Sequence, residues 1–320
     1  MNTIKEKLIG LTSLIIRLFF HLPPNTSIII LNGGLGNQLF QLSLALHLKQ
    51  KYSKKILFYD IRNEYKVVHP TSISKILDNR IDFLRRDEIP KLIQLTIFSK
   101  YFIKLNNWFF KKFNKKLFPL FLIDHPLKKI NLTNNLISSS NLSIFIGTWH
   151  STINSYDKKI FSSLNISKNI LISNTKKRLC ESEFISLHIR RGDYINEKKA
   201  LNYHGSLSDK YYLKSINFIR SNYQNLPVFI FTDDPKWVRK NFKPLITNSI
   251  LVSSSKQSAE VDFLLMTKAK YFIISNSTFS WWAAFISSKK SKLIIVPKQW
   301  FKNAEINSNL IYKDWSYKVF

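Results

Sequence analysis

Residues 184–194 read FISLHIRRGDY, an apolar run that ends abruptly in charge. The run predicts a strand buried on both faces, because no polar residue longer than serine interrupts it before His188. Side-chain alternation puts His188 and Arg190 on one face and Arg191 on the other. Two adjacent guanidiniums are costly to bury without an anion, and their planar forks suit a phosphate or diphosphate. The stretch therefore predicts an anion site at the carboxyl end of a parallel strand.

The same pattern recurs through the second half of the chain. Three more apolar runs end in polar loops: 228–231 before Thr-Asp-Asp-Pro, 271–274 before Ser-Asn-Ser-Thr, and 293–296 before Pro297. Helical patterns at 210–222 and 260–268 separate these runs. Alternating strands and helices predict a parallel α/β sheet whose loops gather at one edge, where such folds bind nucleotides.

The first half begins with a similar unit. An apolar strand at 28–31 precedes the loop Asn-Gly-Gly-Leu-Gly-Asn-Gln, a helix at 39–50 and a second strand at 56–59. The chain becomes polar and rich in Asn and Ser from about residue 150 to residue 174. We therefore predict an α/β protein of two Rossmann-like lobes: an N-terminal extension at 1–25, a first lobe at 26–160 and a second lobe at 161–320.

The loop motifs leave two interpretations each. Residues 275–280, Ser-Asn-Ser-Thr-Phe-Ser, precede a helix expected to start near Trp281. They are either a plain N-cap segment or hydroxyls and amides that bind phosphate or ribose oxygens. Asp233 and Asp234 are either an Asx turn before Pro235 or acceptors for a guanine edge or a ribose.

The glycine loop is weak evidence by itself. Gly33-Gly34-x-Gly36 is neither a dinucleotide fingerprint nor a P-loop, since no Lys-Ser/Thr follows the last glycine. Asn37 lies where the helix begins, so its side chain can point into a cleft. No D-x-D pair occurs in the sequence, so a carboxylate-bound metal bridging a diphosphate lacks its usual ligands. Arginine would then neutralise a leaving diphosphate.

Charge is the unusual feature of the composition. Lys and Arg total 49 against 20 Asp and Glu, a formal net charge of +29 in 320 residues. The excess of lysine reflects either an AT-rich coding bias or attraction to an anionic membrane or polyanion. Cys180 is the single cysteine, so no intramolecular disulfide can form.

Two segments bear on membranes. The apolar stretch 8–22 contains Arg17 and His21 and is shorter than the ~20 residues of a spanning helix. It predicts an interfacial amphipathic helix or an extra helix packed on the first lobe. Residues 97–130 interleave lysines with aromatics, which indicates either helices with a solvated lysine face or a membrane-surface patch.

Together, the glycine loop with Asn37, the block HIRRGDY at 188–194, TDDP at 232–235 and SNSTFSWW at 275–282 resemble the α-1,2-fucosyltransferases of glycosyltransferase family 11. The motifs occur in the family's order from residue 28 to about residue 300. The resemblance implies a GT-B-like enzyme that moves L-fucose from GDP-fucose to a galactose-type 2-hydroxyl, with inversion and without a cofactor or required metal. The first 25 residues and the block 97–130 match no motif.

The resemblance also implies roles for individual residues. Arg190 would hold the diphosphate, and Asn37 would lie near the same phosphate and fucose. Asp193 is our candidate general base, and Arg191 is expected to brace its loop. The remaining residues expected to contact the donor are Gly34, Gly36, His188, Arg191, Asp233, Asp234, Ser275, Ser277, Thr278 and Phe279.

Two rival functions are weaker. An adhesion protein using Arg191-Gly192-Asp193 needs an exposed flexible loop, whereas the sequence places these residues at the end of a buried strand. A nucleic-acid or membrane-surface binder driven by charge would show steeply salt-dependent affinity and would consume no nucleotide sugar. We expect no nucleic-acid partner. The expected partners are GDP-fucose, a galactose-containing glycan that is lipid-linked in O-antigen assembly, and an anionic membrane surface, with a cytoplasmic location at the bacterial inner membrane.

Overall fold

The computed structural model describes residues 22–23, 25–60, 72–76, 120–124, 137, 142–150, 152, 181–223, 225–287, 289, 293–302, 304–305 and 310–320. The chain divides into two compact units. The first comprises Met1–Ser74 and Asn79–Asn165, and the second comprises Lys75–Asp78 and Ile166–Phe320. The predicted boundary near residue 160, the stretch 8–21 and most of the block 97–130 lie outside the described residues.

The first unit contains a parallel sheet. Its described elements are β1 (Thr26–Leu31), α1 (Leu35–Tyr52), β2 (Lys55–Asp60), β3 (Leu120–Ile123) and β4 (Leu142–Ile146), and the short helix α2 (Ile73–Ile76) crosses the division between the units. The strands pair in the order β2-β1-β4-β3, and every pair is parallel. The predicted β-loop-α-β unit is thus present, and α1 begins at the glycine loop, four residues earlier than the pattern indicated.

The second unit contains a larger parallel sheet. Its helices are α3 (Gly192–Asn196), α4 (Lys198–His204), α5 (Asp209–Asn222), α6 (Pro235–Trp237), α7 (Ala259–Met266) and α8 (Thr278–Ile286), and α6 continues through a π turn at Val238–Phe242 and a 3₁₀ turn at Lys243–Leu245. Its strands are β5 (Ile185–Ile189), β6 (Val228–Thr232), β7 (Ser249–Leu251), β8 (Tyr271–Ile273), β9 (Leu293–Val296), β10 (Gln299–Phe301), β11 (Ala304–Glu305) and β12 (Ser316–Val319).

The central strands form because both of their faces are covered. All five residues of β5 and all five of β6 are buried, which explains their continuous apolar sequence. Helix α5 covers one face through a buried stripe that includes Tyr212, Ile216 and Ile219 at helical spacing. The predicted α/β class and its parallel sheets are confirmed, and two such units are what a GT-B-like protein requires.

Strand order fixes where a ligand can bind in the second unit. The six strands run β12-β9-β8-β5-β6-β7, and every neighbouring pair is parallel. From β5 the chain moves outward to β6 and β7, then returns to β8 on the other side of β5. The carboxyl ends of β5 and β8 therefore flank a topological switch point, the position at which open α/β sheets bind ligands.

Within the described ranges, no helix has both the length and the apolar composition that crossing a bilayer requires.

Candidate functional site

His188 joins the two strands at the switch point. It is the fourth residue of β5 and is almost fully buried, and its Nδ1 lies 2.8 Å from the Oγ of Ser275, which follows β8. The ring of Phe279 lies beside it, with centroids 5.4 Å apart. Burial lowers the pKa of His188 to about 3, and nearby Arg190 lowers it further while Asp233 opposes the shift. The imidazole is therefore neutral at physiological pH and can form hydrogen bonds to a ligand without adding charge.

Arg190 is held by a carboxylate from the neighbouring strand end. Its Nη1 lies 2.9 Å from Oδ2 of Asp233, which follows β6, and both side chains are mostly buried. The other oxygen of Asp233 accepts the backbone N–H of Arg191 at 2.8 Å. The guanidinium also lies 5.4 Å from the ring centroid of Tyr194. These contacts fix Arg190 just beyond β5, where a guanidinium can meet an anion without rearranging.

The Cα of Gly192 lies close to the carboxylate of Asp233. A Cβ added to Gly192 would lie 2.6 Å from Oδ2 of Asp233, the same oxygen that pairs with Arg190. The glycine of the tripeptide at 191–193 thus has a local packing reason that is unrelated to adhesion.

Arg191 points to a different partner. Its guanidinium carbon lies 3.4 Å from the ring centroid of Trp237, and its Nε lies 3.8 Å from Oδ2 of Asp234. Asp234 in turn caps α6, because its Oδ1 accepts the N–H of Trp237 at 3.1 Å. Arg191 and Asp234 therefore brace the loop after β6, as the turn interpretation of Asp234 predicts.

Several hydrogen bonds hold the loop after β8 in place. Ser277 is the N-cap of α8, and its Oγ accepts the N–H of Phe279 at 3.4 Å. The helix begins at Thr278 and the predicted start near Trp281 is wrong, because this capping serine opens it a turn earlier. Buried Asn276 donates to the carbonyls of His204 and Trp300.

Tyr194 connects this loop to the arginine loop. Its hydroxyl donates to the carbonyl of Asn276 at 3.1 Å, and its ring stacks on His204 at 4.4 Å. Because the same ring lies beside Arg190, Tyr194 joins the segments that follow β5 and β8.

The structure brings most of the predicted residues together in the second unit. This group contains His188, Arg190, Arg191, Asp233, Asp234, Ser275, Ser277, Thr278 and Phe279, which follow or end β5, β6 and β8. Asp193 is the second residue of α3, and its role as a base stays a prediction. Gly34, Gly36 and Asn37 lie in the first unit, where Gly34 is the N-cap of α1.

The sequence patterns did not identify His150 as part of a site. In the first unit its Nε2 lies 3.2 Å from Oδ1 of Asn37, and its ring packs on Phe40 with centroids 4.6 Å apart. The available signal was its position just after the apolar run 142–146, the same pattern that singled out the loops of the second half.

A fixed arginine and a helix N-terminus at the switch point of a parallel α/β sheet are typical of proteins that bind phosphorylated or nucleotide-linked ligands. The chain belongs to Glycosyl transferase family 11, which it matches over residues 26–319, and it is therefore a glycosyltransferase. The predicted family is confirmed.

Three relatives are similar over most of their length. An Escherichia coli α-1,2-colitosyltransferase is 31% identical over 87% of this chain and 93% of its own. The E. coli O-antigen biosynthesis glycosyltransferase WbnK is 28% identical over 89% of this chain and 98% of its own. A Caenorhabditis elegans galactoside 2-α-L-fucosyltransferase is 22% identical over 83% of this chain and 70% of its own.

The neutral state of His188 predicts a dependence of stability on pH. In the unfolded chain His188 takes up a proton near pH 6.5, whereas the folded protein resists protonation until about pH 3. Between these values the unfolded state binds more protons, so the contribution of His188 is complete above pH 6.5 and is lost as the pH falls. The slope is at most ~1.4 kcal/mol per pH unit.

We therefore expect His188→Asn to flatten the fall in unfolding free energy between pH 7 and pH 5, measured by urea titration with tryptophan fluorescence. His47→Phe is the comparison in the first unit, because burial lowers the pKa of His47 to about 4 and its contribution has the same sign. Parallel curves for the wild type and His188→Asn would contradict the neutral assignment.

Proposed function

We propose that the protein transfers L-fucose from GDP-β-L-fucose to the 2-hydroxyl of a galactose-type residue, with inversion at the anomeric carbon and without a required metal. The observation that carries this proposal is the convergence of His188, Arg190 and the capped start of α8 at the switch point between β5 and β8. A diphosphate bound there would meet a fixed cation and a helix N-terminus together.

The proposed step breaks the bond between the fucose anomeric carbon and the β-phosphate oxygen while the acceptor oxygen forms a new bond to that carbon. Positive charge develops on the sugar ring, and GDP leaves with one more negative charge on its β-phosphate. Arg190 accelerates the step because it binds this charge more tightly in the transition state than in the ground state. The acceptor hydroxyl loses its proton, for which Asp193 is the proposed base.

The proposed nucleotide contacts of the second unit are His188, Ser275, Ser277, Thr278 and Phe279, which lie at one edge of its sheet. For the first unit, the family resemblance supports Gly34, Gly36 and Asn37 as donor-contacting residues. Asp233 and Asp234 act mainly through the arginines that they hold. The proposed acceptor is a galactose-containing, lipid-linked glycan of O-antigen assembly, which the name of the relative WbnK supports.

A second donor is favoured by one relative. The E. coli protein that is 31% identical to this chain is named an α-1,2-colitosyltransferase. Colitose lacks the 3-hydroxyl of fucose, so the two sugars differ by a single polar contact in the sugar pocket. A site built to hydrogen-bond that hydroxyl rejects the sugar without it, whereas an apolar pocket discriminates weakly.

One experiment tests both donors. The purified protein is incubated with GDP-fucose or GDP-colitose, with EDTA or with Mg²⁺, and with a panel of β-galactosides, and products are identified by mass spectrometry and NMR. We expect an α-1,2-fucosyl product that forms equally with EDTA. A colitosyl product alone would replace fucose by colitose in the proposal, another linkage would overturn the α-1,2 assignment, and dependence on Mg²⁺ would overturn the metal-free step.

We also propose peripheral attachment to an anionic membrane at the bacterial inner face. Besides the net charge of +29, one surface supports it: the segment 236–245 carries Lys236, Arg239, Lys240 and Lys243 without an acidic residue. Val238 and Phe242 anchor this segment in the core, and Leu245 is 54% exposed at its end. Among the described residues none of its four cations forms a salt bridge, so their charge is available to lipid headgroups.

We expect the full chain to float with vesicles containing phosphatidylglycerol, to dissociate at high salt, and to ignore phosphatidylcholine vesicles. The double variant Arg239→Glu with Lys240→Glu should weaken flotation more than Lys256→Glu with Lys268→Glu, which changes the net charge equally on another exposed surface. Equal flotation of the two variants would show that this segment is not the membrane-binding surface. If the wild type bound neither kind of vesicle, the proposed membrane attachment would be contradicted.

A further inference from the structure

In the first unit, the carboxyl ends of β1 and β4 lie side by side. In its strand order, β1 and β4 are neighbours, and the chain leaves β1 for β2 before returning to β3 and β4. Asn37 lies in the first turn of α1, which follows β1, and His150 follows β4. Their 3.2 Å contact between Nε2 of His150 and Oδ1 of Asn37 therefore joins the segments that follow these two neighbouring strands.

The amide of Asn37 is confined on two sides. Gly33 has φ +69°, and a Cβ added to it would lie 2.3 Å from Nδ2 of Asn37, so only glycine admits the amide nitrogen here. On the other side, His150 meets the amide oxygen, and packing on Phe40 holds the imidazole in place. In the tautomer that carries its proton on Nε2, His150 donates to Oδ1 and directs Nδ2 toward the glycine loop.

We propose that His150 is a positioning residue that fixes the amide orientation of Asn37. The inference rests on the proposed function, in which Asn37 contacts the donor phosphate and fucose. An amide has a donor end and an acceptor end, and only the N–H₂ end attracts a phosphate oxygen. A neighbour that binds the oxygen end removes the wrong orientation before the donor arrives, which lowers the cost of organising the site.

The test separates the hydrogen bond from the ring. His150→Phe keeps a ring against Phe40 but loses the N–H donor, whereas His150→Gln replaces the donor on a flexible chain. We expect His150→Phe to lower kcat roughly 10- to 100-fold, the range of a misplaced catalytic contact, and His150→Gln to recover most of it. His47→Phe, which replaces a different buried histidine that lies in α1, should leave kcat unchanged.

A double-mutant cycle decides whether His150 acts through Asn37. In the Asn37→Ala background, His150→Phe should cause no further loss of kcat. An equal loss in both backgrounds, or wild-type kcat in His150→Phe, would overturn the inference. If the wild type transfers neither sugar, the proposed function fails, and the same cycle is read on the free energy of unfolding. Coupling between the two substitutions then supports the contact, and strict additivity overturns it.

Discussion

Arg190→Lys lowers kcat for sugar transfer about 10²- to 10³-fold, the cost of removing one preorganised donor to a developing anion. Lysine keeps the charge but not the planar fork, and it cannot both pair with Asp233 and present further N–H donors to a diphosphate. The loss should appear in kcat rather than in the affinity for GDP alone, because the extra charge forms only as the glycosidic bond breaks. Initial rates with GDP-fucose, combined with GDP titration calorimetry, measure the two separately.

Arg220→Lys is the matched control for this substitution. Arg220 lies in α5 of the same unit and donates to the carbonyls of Leu226, Thr247 and Asn248, which precede β6 and β7 at the opposite edge of the sheet. Loss of these guanidinium hydrogen bonds should lower the free energy of unfolding and leave kcat unchanged. Comparable kcat losses in both variants would mean that Arg190 supports the fold, and a fully active Arg190→Lys would remove it from the leaving-group role.

The second lobe was largely predictable because one physical pattern dominates it. Strands buried on both faces of a parallel sheet are continuous apolar runs, so the limits of β6 and β9 could be estimated within a residue. The carboxyl ends of parallel strands share an edge, which is why His188 and Ser275, 87 residues apart, could be expected to lie close together.

The ion-pair and hydrogen-bond partners of the individual side chains at that edge could not be predicted. Asp233 and Asp234 are adjacent and chemically identical, yet the first holds Arg190 while the second caps α6. Which carboxylate holds Arg190 and which caps α6 depends on the backbone direction after β6, and that direction follows from tertiary packing. His150 escaped prediction for the same reason, because its contact with Asn37 depends on β4 lying beside β1 across 113 residues of chain.

The predicted starts of two helices were both too late in the sequence. The apolar pattern placed α1 and α8 a turn late, because the first turn of each contains small or polar residues that carry no periodic signal. In α8 that turn is Thr278-Phe279-Ser280, opened by the cap of Ser277, and the two buried tryptophans follow it. Residues that leave backbone N–H groups accessible to a ligand are the ones that a hydrophobic pattern does not detect.

Gly192→Ala should lose at least about 10²-fold in kcat while the fold is retained. The backbone of Gly192 does not require glycine, since it opens the helix α3 at a φ that other residues adopt. The added methyl group would lie 2.6 Å from Oδ2 of Asp233, so we expect the carboxylate to shift and to disturb its ion pair with Arg190. A shift of about 1 Å in a positioning contact costs on the order of 10²-fold in rate.

Gly205→Ala is the opposite case and serves as the control. Gly205 has φ +69° and ψ 177°, a conformation that essentially only glycine adopts. A Cβ added to it would have ordinary van der Waals contact, because the nearest atom, Cβ of Lys302, is 3.6 Å away. Alanine there costs about 1–3 kcal/mol of backbone strain and touches nothing in the site. We expect a lower urea midpoint with unchanged kcat for Gly205→Ala, and lower kcat with an unchanged midpoint for Gly192→Ala. If both variants lose stability and activity in parallel, the carboxylate of Asp233 does not act through the position of Arg190, and the ion pair is a feature of the fold alone.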